Sequence, residues 1–199
     1  MTETRDARLQ RWVRELIATP GLTAIKDSES AWHEHVERSL EALPAVERFD
    51  GPIVDVGSGG GSPGIPLAAA LPDREVTLLE SQERKAVFLD RIAREFPNVR
   101  VVRGRAEDQA TDRYKVAVAR ALAAPPVAAE WCLPLVQPGG AVVLLVGRTV
   151  EVERVAKVAA KLGGGDPETG EGILIIPKLE PTPPGFPRRP GVAKKRPLA

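Results

Sequence analysis

Residues 54–66 read Val54-Asp55-Val56-Gly57-Ser58-Gly59-Gly60-Gly61-Ser62-Pro63-Gly64-Ile65-Pro66, and the fold turns on them. Residues 52–56 form a short apolar run that stops at a glycine cluster, which predicts a buried strand. Glycines without a Cβ let the backbone turn sharply and approach a ligand closely. Pro63 and Pro66 sit where the first turn of a helix tolerates proline, and residues 67–71 continue that helix. Strand, glycine turn and helix in this order are the context that a nucleotide-binding turn requires. A tight turn with no ligand has the same local sequence, so the surrounding residues must separate the two.

Downstream, strands and helices alternate. Residues 75–80 (EVTLLE) predict a second strand, 99–103 a third and 115–119 a fourth. Residues 141–147 (AVVLLVG) predict a fifth, whose near-continuous apolar character implies burial on both faces. Helices are expected over 82–96, 126–136 and 149–162, a loop over 163–172 and a last strand over 173–178. Upstream, Leu9, Trp12, Val13 and Leu16 recur at helical spacing in residues 5–18. A second helix, about 29–43, is capped by Asp27 or Ser28 and stops before Pro44. The pattern predicts an α/β fold with a mostly parallel central sheet and helices on both faces. The short stretch between the fifth strand and ILIIPK leaves room for six strands, or seven if the extra one is very short.

In such sheets ligands sit at the carboxyl ends of the strands, so the residues there carry the chemistry. Asp55 lies two residues before the first glycine, where its charge is expected to face the cationic end of a ligand rather than a diphosphate. S-adenosylmethionine, with an ammonium, a sulfonium and no phosphate, suits that position. Glu80 ends the second strand and can accept from both ribose hydroxyls; a charge at the start of the next helix is the other use open to it. Gly104-Arg105-Ala106-Glu107-Asp108 follows the third strand, as a border for adenine or as an ordinary acidic loop. Arg120 follows the fourth strand, where a cation is costly to bury unless paired. It either points into the cleft or pairs with a structural acid.

Composition sets bounds. Hydrophobic residues at 43% can build a sizeable core, yet aromatics are only 4%, so that core must be Val, Leu, Ala and Ile. One cysteine, Cys132, allows no internal disulfide and reads as core in an apolar helix. A charged amino end without an apolar run, and no stretch of about 20 apolar residues, predict a cytoplasmic chain with no membrane partner. His33 and His35 lack metal-ligand company, so no metal is expected; Trp12 and Trp32 read as packing rather than as base-stacking groups. The net charge of +1 hides a basic end: Arg188, Arg189, Lys194, Lys195 and Arg196 with no acid among them. This proline-rich stretch is too poor in apolar residues to pack as an element, and its charge suits a phosphate backbone.

These residues together resemble the glucose-inhibited division protein B family, the bacterial 16S rRNA (guanine-N7) methyltransferases G. The likeness lies in the glycine stretch running into Pro63-Gly64-Ile65-Pro66, in Leu78-Leu79-Glu80-Ser81 with Lys85, in Gly104-Arg105-Ala106-Glu107 and in Arg120-Ala121. Leu22-Thr23-Ala24-Ile25 with His35, and Pro187-Arg188-Arg189-Pro190-Gly191, extend it over nearly the whole chain. The resemblance implies a Rossmann-like S-adenosylmethionine-dependent methyltransferase with three parts: a helical extension (1–48), a methyltransferase domain (49–180) and a basic tail (181–199). It implies that Gly57, Ser62, Ala106 and Glu107 touch the cofactor and that Arg120 lies in the active site; with the loop and strand ends read above, the expected cofactor site is Asp55, Gly57, Ser58, Gly59, Gly61, Ser62, Glu80, Ser81, Ala106, Glu107 and Arg120. It implies tail cations on 16S rRNA of the small ribosomal subunit, and a monomer. Ser62 stands where relatives often carry a bulky apolar residue, and Arg38-Ser39 where Asp-Ser is usual. A non-catalytic rRNA-binding factor is the alternative, and an NAD-dependent oxidoreductase a weaker one.

Overall fold

The computed structural model describes residues 5–147 and 149–199; the first four residues of the expected 1–48 extension lie outside them. The chain opens with α1 (Arg5–Ala18), then α2 (Ser28–Trp32), a π-helical turn (His33–Glu37), α3 (Arg38–Leu40) and α4 (Leu43–Val46). The alternating part follows as β1 (Ile53–Val56), α5 (Gly64–Ala70), β2 (Val76–Glu80), α6 (Glu83–Ala93), β3 (Val99–Arg103) and β4 (Tyr114–Arg120). It closes with α7 (Pro125–Cys132), β5 (Val136–Leu145), α8 (Val152–Ala160), β6 (Glu168–Gly170), β7 (Ile173–Pro177) and α9 (Val192–Lys195).

Seven strands form one sheet in the order β3-β2-β1-β4-β5-β7-β6. The first five are parallel, and β7 and β6 run antiparallel at the far edge. The direction of winding reverses between β1 and β4, so a crevice opens beyond the carboxyl end of β1. β1 and β2 are buried at every position, and β5 through its apolar stretch, as strands covered on both faces must be. The edge strand β3 carries exposed Arg100 and Arg103, charges that blunt a free edge.

Two apolar layers flank the sheet. One joins Leu9, Trp12, Val13 and Leu16 of α1 to α5, α6 and one sheet face, so the helical extension packs as part of the core. The other joins the opposite face to α7 and α8. Trp12 and Cys132 are both core residues, as their surroundings predict. Among the described residues no helix is long and apolar enough to cross a membrane.

The structure departs from the expected elements in four places. The second helix is not continuous over 29–43. A π turn widens it at His33–Glu37, and Pro44 lies in the first turn of α4 rather than ending a helix. α7 stops at Cys132, a 3-10 turn takes Leu133–Leu135, and β5 begins at Val136, five residues before the apolar run. The expected loop 163–172 contains the short β6, which is the very short seventh strand.

The basic tail is the fourth departure, because it packs. Phe186, Leu198 and Ala199 lie against the second apolar layer, and Ala193 of α9 is buried in it. Arg188 forms a two-pronged pair with Glu130 of α7, at 2.6 Å through both Nε and Nη2. Glu130 is 3% exposed on an otherwise apolar helix, so its charge requires a cation beside it. At the other end of the sheet, Thr182 donates to Asp112 and accepts from Lys178. Lys178, fully buried, also donates to the carbonyls of Leu133 and Leu162.

Candidate cofactor and active site

The loop after β1 is held from below. Asp55 is fully buried, and its Oδ2 accepts the N–H of Gly64 at 3.0 Å, tying β1 to the start of α5. Its Oδ1 is buried with no partner among the described residues. The expectation that Asp55 faces a ligand's cation is therefore corrected: its side chain lies under the loop. Burial pushes its pKa up to about 7, against the opposing hydrogen bonds of Gly64 and Ser58 and the charge of Arg120. Ser58 donates its hydroxyl to the Asp55 carbonyl, and Gly61 donates its N–H to the Ser58 carbonyl. Gly57 takes φ 71, and a Cβ there would stand 2.4 Å from Cδ1 of Leu122. A Cβ at Gly60 would stand 2.3 Å from Leu16, so this glycine lets α1 dock on the loop, and Trp12 Nε1 donates to its carbonyl.

Glu80 closes the loop from the side. Its Oε2 accepts the N–H of Gly59 at 2.9 Å and its Oε1 the N–H of Gln82, the cap of α6, at 2.7 Å. Glu80 thus serves the helix start and also lines a cavity. That cavity, of about 250 Å³, lies at the carboxyl ends of β1–β4. Gly57, Glu80, Ser81, Ala106 and Glu107 line it, together with Lys85, Leu122, Trp131 and Lys194. Asp55, Ser58, Gly59, Gly61 and Ser62 shape the loop from outside the cavity wall. A carboxylate has about four acceptor sites, so Glu80 keeps capacity for hydroxyl donors after holding two backbone N–H groups. These features suit the ribose and purine of an adenosyl cofactor.

Arg120 stands at the end of β4, beside the loop but outside the cavity lining. Its Nη1 donates to the carbonyl of Glu34 and lies 3.4 Å from that residue's carboxylate, while Nη2 lies 3.0 Å from Nδ1 of His35. His35 Nε2 lies 3.0 Å from Thr23 Oγ1, and Nδ1 also lies 3.2 Å from Ser62 Oγ. The contact falls on the π turn, where Arg120 donates to the carbonyl of Glu34 and Ser39 Oγ to that of His35. Burial, and then the Arg120 charge, hold the His35 pKa below its ordinary value. The next residue, Ala121, takes φ 51. This left-handed conformation costs a residue with a Cβ about 1 kcal/mol. It turns the chain so that Leu122 covers Gly57.

The tail cations divide. Arg188 is committed to Glu130, and Lys194 stands 5.5 Å over the Trp131 ring at the cavity rim. Arg189, Lys194, Lys195 and Arg196 are all exposed. Sequence reasoning missed Trp131 as a wall of the cavity; its signal was a large aromatic beside a lone glutamate in a helix of small residues.

The family model of the rRNA small subunit methyltransferase G matches residues 6–162. A ribosomal RNA small subunit methyltransferase G of Moorella thermoacetica is 38% identical over 197 residues, covering 89% of this chain and 82% of the relative. One of Pelotomaculum thermopropionicum is 41% identical over 199 residues, with 89% and 82% covered. In fold, the chain is similar to an S-adenosylmethionine-dependent O-methyltransferase of Thermotoga maritima, with a TM-score of 0.55 at 15% identity, covering 85% of this chain and 71% of that one. The sheet order, the glycine loop clasped by Glu80 and this extent of identity lead to one assignment: the chain belongs to the family of ribosomal RNA small subunit methyltransferases G.

Proposed function

We propose that this enzyme transfers a methyl group from S-adenosylmethionine to N7 of a guanine in 16S rRNA, acting in the cytoplasm as a monomer. The observation that carries it is Glu80, clasping Gly59 and Gln82 while lining the cavity beside Gly57, Ala106 and Glu107. We assign the cofactor site to Asp55, Gly57, Ser58, Gly59, Gly61, Ser62, Glu80, Ser81, Ala106, Glu107 and Arg120. Asp55, Ser58, Gly59, Gly61 and Ser62 serve it by fixing the loop rather than by lining the cavity. The bound cofactor supplies an electrophilic methyl group on a sulfonium.

N7 of guanine carries a lone pair and no proton, so the chain needs no general base to prepare it. What the protein must provide is placement, and a bound geometry aligned for attack can supply most of the acceleration. The loop and Leu122 fix one partner. Arg120 with His35 and Glu34 fixes the floor on which the other arrives. Methyl transfer moves positive charge onto the purine, so Arg120 serves by positioning rather than by charge stabilisation. Arg189, Lys195 and Arg196 are the exposed tail cations outside the cavity and are free for an RNA backbone.

The test is transfer of label from S-adenosylmethionine to small-subunit particles and to naked 16S rRNA, followed by nucleoside digestion. Label in 7-methylguanosine is the expected result. Binding of the cofactor without label in any nucleoside would overturn the catalytic reading in favour of an rRNA-binding factor.

A further inference from the structure

Trp131 carries an unanswered donor. The residue is 9% exposed on the cavity wall, and its indole Nε1 is buried with no hydrogen-bond partner among the described residues. A buried N–H without a partner costs stability, and an empty apolar surface would not repay it. Beside it stands a second donor, the Lys194 ammonium, 5.5 Å over the same ring and also lining the cavity. Lys194 arrives from far along the chain, and its place is fixed twice: by the two-pronged Arg188–Glu130 pair one residue before Trp131, and by the Gly191 N–H on Glu107 Oε1 at 3.2 Å. Glu107 lines the same cavity from the 104–107 turn.

We propose that Trp131 and Lys194, the latter brought in by the C-terminal tail, form the purine-recognising wall of the cofactor cavity, and that the tail is thereby part of the cofactor site. The chemistry is complementary. Adenine presents ring nitrogens that accept and no ring N–H that donates when attached to ribose, and the wall presents two donors and a π face. The tail then has two sides, an inner one for the nucleoside and an outer one, Arg189, Lys195 and Arg196, toward solvent. This rests on the adenosyl cofactor proposed above.

The test is calorimetric titration of the full chain and of Trp131→Phe, Lys194→Met and Lys157→Met with S-adenosylhomocysteine, with hydrogen–deuterium exchange of residues 186–196. Removal of one hydrogen bond predicts about a five- to tenfold weaker Kd for Trp131→Phe and for Lys194→Met. Lys157→Met, an exposed charge on α8, binds as the native chain does. The ligand slows exchange of the Gly191 amide. Trp131→Phe keeps an aromatic ring and sheds the N–H, so its melting temperature stays at or above the native one while its affinity falls, which poorer packing would not produce. Native affinity in both variants, or tail exchange unmoved by ligand, overturns the proposal. So does a Lys194→Met chain that loses affinity only for 16S rRNA. A native chain that fails to bind S-adenosylhomocysteine overturns instead the cofactor assignment beneath it.

Discussion

Arg120 Nη2 stands 3.0 Å from Nδ1 of His35, and this contact fixes the histidine's protonation. A guanidinium only donates, so Nδ1 must be the bare nitrogen, and Nε2–H donates to Thr23 Oγ1. The helical extension is thus latched to the end of β4 by a neutral imidazole. A proton on Nδ1 would face the Arg120 guanidinium, which has no lone pair to accept it.

This latch has a pH sign. Burial and Arg120 lower the folded pKa of His35 below its ordinary 6.5. Below 6.5 the unfolded chain takes up a proton that the folded chain refuses, so stability falls as pH drops from 6.5 through the folded pKa and is level above it. His35→Gln is expected to flatten that limb of the melting-temperature profile. Arg120→Lys cannot span Glu34 and His35 together and is expected to slow methyl transfer by roughly ten- to a hundredfold, a cost typical of displaced reacting groups. Unchanged single-turnover rates for Arg120→Lys would remove Arg120 from the positioning floor.

Asp55 gives the opposite slope. Its folded pKa of about 7 lies above its ordinary 3.8, so between those values the folded chain holds a proton that the unfolded chain has released. Stability therefore declines as pH rises from about 4 to 7 and levels off beyond. Asp55→Asn lacks that titration, and its melting temperature should gain on the native chain steadily across the window, by up to about 4 kcal/mol in free energy if the full shift is realised. A constant gap between the two would show that Asp55 titrates normally.

Glu80→Gln retains an acceptor for one of the two backbone N–H groups and sets an amide N–H against the other. Hydrogen bonds to a charged acceptor contribute about 1.5–3 kcal/mol, so cofactor Kd should rise roughly tenfold to a hundredfold. Calorimetry with S-adenosylhomocysteine measures it; an unchanged Kd would leave Glu80 as a helix cap alone.

The exposed tail cations predict a salt effect. Replacing Arg189, Lys195 and Arg196 together by alanine should lower the slope of log K against log salt for 16S rRNA by about two to three, close to one for each phosphate no longer neutralised. Equal slopes for native and triple variant would take the tail's outer side off the RNA.

The sequence disclosed the central strands β1, β2, β4 and β5 because burial on both faces makes them mostly apolar, from Ile53 in β1 to Leu144 in β5. It disclosed the glycine loop because close approach of Leu122 and Leu16 admits no side chain at Gly57 and Gly60. It hid the π turn, since one extra residue in a turn leaves no mark on periodicity over five positions. It hid the direction of the Asp55 side chain, because its partner, the Gly64 N–H, belongs to a turn whose shape no residue type specifies. It hid the tail's docking because apolar counts weigh residues singly. The buried Glu130 in PPVAAEWC asked for a cation that came from 58 positions away.

The stretch from Thr182 to Gly191 joins two carboxylates at opposite ends of the sheet, Asp112 below and Glu107 above. Pro183, Pro184, Pro187 and Pro190 stiffen it. Its path is not extended: the Phe186 N–H donates to the Pro183 carbonyl at 3.3 Å, in a turn with Gly185 at φ 90. The segment is a folded tether whose turn lies between the two anchors. Deleting one residue between Thr182 and Gly191 would undo this turn or shift the register beyond it, setting Lys194 off the Trp131 ring with no residue of the cavity replaced. Chain length itself, independent of residue identity, is here a determinant of the site.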